Sequence, residues 1–66
     1  METEDVQKLV QEIKDCTGDY EAQHVLEDRL YERVLRAIMK GKCYNPKDLA
    51  KEALKTKRII FTRHCA

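Results

Sequence analysis

A chain of 66 residues with a formal net charge of +1 has room for one small domain, and none for separate cofactor and substrate halves. Its composition is 42% hydrophobic and 38% charged, with two Gly and one Pro, which leaves few turn positions and favours helices over a sandwich of short strands. No segment approaches the run of about eighteen apolar residues that marks a membrane span.

The first helix is expected over about residues 4–16. Thr3 is a suitable N-cap, and Glu4 and Asp5 fall in the first turn, where the helix dipole favours acids. Val6, Leu9, Val10, Ile13 and Cys16 recur at helical spacing as one narrow apolar stripe, and Gly18 stops the helix.

Asp19 caps the second helix, expected over 20–40 with Gly41 as its stop. This helix carries two apolar stripes. One runs Ala22, Leu26, Leu30, Val34, with Ala37 and Ile38; the other is Tyr31, Leu35 and Met39. Its polar strip holds Glu21, Arg29, Glu32 and Arg36, with Glu32 and Arg36 at the favourable i,i+4 spacing. Two stripes call for two neighbours, so this helix is expected to be central.

Asn45 followed by Pro46 opens the third helix, expected over 46–56, with Leu49, Ala50, Ala53 and Leu54 as its stripe. From Lys57 the β-branched and aromatic content rises through Ile59, Ile60 and Phe61. Residues 57–66 are expected as an extended tail laid back on the helices, the alternative being a continued helix. Either geometry lets Phe61 anchor the tail. The expected architecture is therefore all-α, a three-helix bundle with a long central helix and a short C-terminal extended tail.

Charge is unevenly distributed. Residues 1–32 hold ten acids against three bases, and residues 33–66 hold ten bases against two acids. The first expectation is self-neutralisation, the acidic first helix packing beside the basic third. The other is a polyanion-binding end: Lys47, Lys51, Lys55 and Arg58 fall at i, i+4, i+8 and i+11, a ridge able to follow a phosphate backbone. Asp48–Leu54 also reads as the first helix of a helix-turn-helix with Thr56 onward as the second, although the glycine common in that turn is missing.

Chemistry-bearing clusters are sparse. Glu21, His24 and Asp28 lie one turn apart on one side of the second helix, with Glu27 beside them. Di-iron bundles use an E-x-x-H spacing, but in two copies with further Glu residues; here a His held by neighbouring carboxylates is the expectation, with no metal and no cofactor. Cys16, Cys43, Cys65 and His64 contain no C-x-x-C pair, so no zinc set is read. The odd, scattered cysteines suit a reducing compartment. The start Met-Glu-Thr-Glu-Asp is the opposite of a signal peptide's basic start, and a cytoplasmic location with no membrane association is expected. The chain has no serine, and Cys65 beside His64 is adjacency in sequence only, so no catalytic residues and no enzyme are expected.

The stretch Asp19-x-Glu21-x-x-His24-x-x-Glu27-Asp28-x-Leu30-Tyr31-x-x-Val34-Leu35-x-x-Ile38 resembles a helix in short uncharacterised helical proteins of phage and bacterial genomes, over about half of the chain. Some of these also end in a phenylalanine followed by a short tail closing in Ala, as Phe61 to Ala66 does; where they often have an aromatic near the end, this chain has His64. The resemblance implies a small accessory role on a mobile element and brings no activity with it.

The functional expectation is a small non-enzymatic binding module for a protein partner or a second copy of itself, with Tyr31, Leu35, Met39 and Phe61 as interaction residues. The alternative is a nucleic-acid-binding domain using Lys47, Lys51, Lys55 and Arg58.

Overall fold

The computed structural model describes residues 1–61. Among them there are three α-helices, α1 (Thr3–Asp15), α2 (Tyr20–Met39) and α3 (Pro46–Ala53), then a 3₁₀ turn (Leu54–Arg58), and no strand. Each helix packs against both others. Arg63, His64, Cys65 and Ala66 lie outside the described residues.

The cap of α1 is Glu2, one residue before the expected Thr3. The reason is reciprocal bonding: three residues after Glu2 stands Asp5, whose Oδ2 accepts from the Glu2 N–H at 2.8 Å, whereas three residues after Thr3 stands the apolar Val6. Val6, Val10 and Ile13 are buried. Gly18 follows at φ 99°, in the left-handed region.

Asp19 caps α2 as expected, accepting from the Ala22 N–H at 3.1 Å. At the other end Gly41 has φ 67°. Its N–H donates to the Ile38 carbonyl at 3.1 Å and the Lys42 N–H to the Ala37 carbonyl at 2.8 Å, the paired bonds of a glycine-closed helix end.

The buried line of α2 differs from the expected one. It runs Gln23, Glu27, Leu30, Val34, while Ala22 and Leu26 are half-buried and Ile38 is at the surface. Gln23 is 2% exposed because its Nε2 donates to the Ile13 carbonyl at 2.9 Å, satisfying one of the carbonyls at the end of α1. Leucine 26 has no such partner to gain and yields the line to an amide.

Asn45 caps α3 by accepting from the Asp48 N–H at 3.3 Å, and Pro46 is the first helical residue. The α-helix ends at Ala53, not at residue 56, and the 3₁₀ turn carries the chain to Arg58. Lys57 and Arg58 therefore belong to this turn and not to the tail. Three residues per turn keep Ala53, Thr56 and Ile59 on one line: the first two are buried and Ile59 is half-buried. Ile59 itself is extended, at φ −80° and ψ 121°. Ile59 and Phe61 pack against the core, and Ile60 between them is 97% exposed, the period of two that an extended chain imposes.

The core is Val6, Val10 and Ile13 from α1, Leu30 and Val34 from α2, and Leu49 and Ala53 from α3. It is α1 that lies most broadly against both neighbours. The expected two-sided burial of α2 does not form, because α3 has only 8 residues and cannot cover the second stripe: Leu35 is 65% and Met39 76% exposed.

Candidate interaction groove

That uncovered stripe shapes the most distinctive surface feature. A groove of ≈ 290 Å³ runs between α2 and α3, lined by Tyr31, Val34, Leu35 and Ile38 on one side and Ala50, Ala53 and Leu54 on the other. The four α2 residues fall at i, i+3, i+4 and i+7, one helix face. Opposite them, two alanines leave the space that larger side chains would fill. Val34 and Ala53 form the buried floor, while Leu35 and Leu54, the latter 59% exposed, form the walls. Met39 continues the α2 stripe toward Gly41.

A polar clasp holds the groove's other end. The hydroxyls of Tyr31 and Thr56 are hydrogen-bonded at 2.5 Å. Lys57 Nζ stands 5.6 Å from the centre of the Tyr31 ring and 3.8 Å from Glu27 Oε1, a cation placed between a ring face and a buried carboxylate. Glu27 is thus on the core side, 3% exposed.

Of that expected polar cluster, His24 Nε2 and Asp28 Oδ2 are 3.3 Å apart, and Glu21 is exposed in the first turn of α2. Among the described residues no group of three or more His, Cys, Asp or Glu side chains is placed to hold a metal ion. Cys16 and Cys43 are half-buried free thiols; Cys43 packs against the core, and Cys65 and His64 lie outside the described residues.

The basic ridge Lys47, Lys51, Lys55, Arg58 is exposed throughout, with its last two members in the 3₁₀ turn. Lys55 bonds Glu52 Oε1 at 2.7 Å. A helix-turn-helix does not form: Thr56 is inside the 3₁₀ turn and Ile59 is extended, so no second helix follows among the described residues. Nor does an ion pair join α1 to α3 among the described residues, although the two helices pack together. The acidic α1 does pack beside the basic α3 as expected, but through apolar side chains.

A second basic stripe escaped the sequence reading. Arg29, Arg33, Arg36 and Lys40 fall at i, i+4, i+7 and i+11 on the outer face of α2, all exposed. Their spacing was visible, but alternation with Glu32 masked it; Glu32 Oε1 accepts from Arg36 at 2.6 Å. Phe61, expected as an interaction residue, is half-buried against the core and lines no part of the groove. Among the described residues no helix is long and apolar enough to cross a membrane. No protein-family model, no curated protein and no solved structure matches the chain.

Proposed function

We propose that this chain is a small non-enzymatic three-helix bundle that binds a protein partner by taking a helix of that partner into the α2–α3 groove. The observation that carries the reading is the exposed apolar lining, Leu35, Ile38 and Leu54, continued along α2 by the exposed Met39. Single exposed apolar residues need no explanation, but a contiguous concave set is how grooves that accept an amphipathic helix are built. The alanines of α3 set the groove's width, and the Tyr31–Thr56 bond fixes one end.

The test is a retention experiment with the full chain and with the Leu35→Asp, Met39→Asp double variant, after circular dichroism has established equal helicity. A protein from native lysate retained by the parent and lost by the variant, with amide-exchange protection on residues 31–39 and 50–54 in the reconstituted complex, supports the reading. Duplex DNA binding that falls steeply with salt, survives the double variant and is lost in Lys47→Glu, Lys51→Glu replaces it with the nucleic-acid reading.

A further inference from the structure

The second helix gathers its bases on one side. With about 100° between successive helix residues, Arg29, Arg33, Arg36 and Lys40 fall within about 60° of one another around the axis. That side is turned away from Tyr31, Leu35 and Ile38, and all four bases are exposed. Arg29, Arg33 and Arg36, with Glu32 at the edge, line an open surface hollow of ≈ 360 Å³. The stripe extends over about 16 Å of straight helix.

The fold does not neutralise these charges. Glu32 Oε1 holds Arg36 at 2.6 Å, but Arg29, Arg33 and Lys40 make no ion pair among the described residues. Arg33 follows Arg29 by four positions and Arg36 follows Arg33 by three, spacings at which like charges repel across a helix turn. The helix dipole accounts for Arg36 in the last turn and Lys40 at the C-cap, but not for Arg29 and Arg33 in mid-helix. An anion bound in the hollow relieves that repulsion, and a guanidinium presents the planar fork that fits phosphate oxygens.

We propose that this face of α2 binds the phosphate backbone of a nucleic-acid duplex, Arg29 and Arg33 each contacting a phosphate and Lys40 extending the contact along the same strand. The surface is separate from the α2–α3 groove, and the proposal does not depend on what fills the groove. A row of cations on a straight helix suits a linear array of charges, with one phosphate per about 3.4 Å along each strand. A duplex is favoured over a single strand because the tyrosines of α2, Tyr20 and Tyr31, lie on the other side of the helix and offer these arginines no surface for stacking bases. A membrane surface is disfavoured because the apolar side chains of α2 face the core and the groove. Val25 is the one large apolar residue exposed beside the arginines, too little to insert into lipid. Phosphate contacts carry no sequence information, so the binding is independent of base sequence.

The test is the fluorescence anisotropy of a short labelled DNA duplex of mixed sequence, titrated with the full chain between about 50 and 200 mM salt. The expected dissociation constant lies in the range of about 10⁻⁴ to 10⁻⁶ M, and log K is expected to fall against log salt with a slope of about −2.7, three phosphates at about −0.9 each. The Arg29→Gln, Arg33→Gln variant, with helicity unchanged in circular dichroism, weakens binding at least about tenfold at the lower salt and brings the slope to about −0.9. Leu35→Ser, on the groove side, leaves both quantities unchanged. A loss in Lys47→Gln, Lys51→Gln as large as that in the arginine variant, or larger, overturns the assignment to α2. Absence of duplex binding at about 50 mM salt overturns the proposal outright. Association with phosphatidylserine vesicles that is tighter than with the duplex at equal salt overturns it in favour of a membrane surface.

Discussion

The hydroxyl of Tyr31, midway along α2, is hydrogen-bonded to that of Thr56 across 25 residues of sequence at 2.5 Å. Thr56 is fully buried, so this bond joins the longest helix to the 3₁₀ turn and sets where α3 lies. Because Thr56 sits on the same line as Ala53 and Ile59, one contact positions the floor of the groove and the start of the tail together.

Removing either hydroxyl weakens this junction. Tyr31→Phe and Thr56→Val are each expected to lower stability by about 0.5–1.5 kcal/mol. In a double-mutant cycle read by urea denaturation, the second change should cost less once the first is made. Strict additivity would show that the two hydroxyls act independently.

Leucines 30 and 35 separate the two faces of α2. Leu30 is fully buried, and Leu30→Ala is expected to cost about 2–5 kcal/mol. Leu35→Ala should stay within about 0.5 kcal/mol of the parent, since its side chain is 65% exposed. Thermal melts followed at 222 nm distinguish them. A large loss at Leu35 would mean that the isolated chain already covers its groove.

Gln23 closes the end of α1. Gln23→Ala removes one of two donors to the Ile13 carbonyl, which keeps the Cys16 N–H at 3.2 Å, and is expected to cost about 0.5–1.5 kcal/mol. Amide exchange in residues 12–17 should accelerate more than in α3. Uniform acceleration would instead indicate a general packing loss.

The tail gives a period-two test. Ile60→Ser should leave the melting temperature unchanged, because Ile60 is 97% exposed. Phe61→Ala should lower stability by about 1–2 kcal/mol, part of the about 1.5–3 kcal/mol that full burial of a large side chain contributes. An equal effect at both positions would exclude alternation.

Much of the fold was legible from local signals. Asp19, Asn45 with Pro46, and Gly41 mark helix ends by bonds or backbone angles that each residue supplies by itself, and the stripe Val6, Val10, Ile13 reports a helix face directly. The Glu32–Arg36 pair is equally local. Gln23 and Glu27 were not legible as buried residues, because their burial depends on a carbonyl ten residues away and on a lysine thirty residues away. The 3₁₀ ending of α3 was hidden for the same reason: Thr56, inside that turn, is buried against the core and bonded to the Tyr31 hydroxyl 25 residues away.

By itself, then, the sequence determined which segments are helical, where most of them begin and end, and that bases gather in the second half, since those properties depend on bonds within one or two turns. Tertiary structure alone decided which stripe of α2 is covered. Two apolar stripes compete for one core, and the 8-residue α3, carrying alanines at positions 50 and 53, has surface enough for only part of them. The remainder, Leu35, Ile38 and Met39 with Leu54 opposite, stays open as a groove that no helix could form until α2 and α3 had packed.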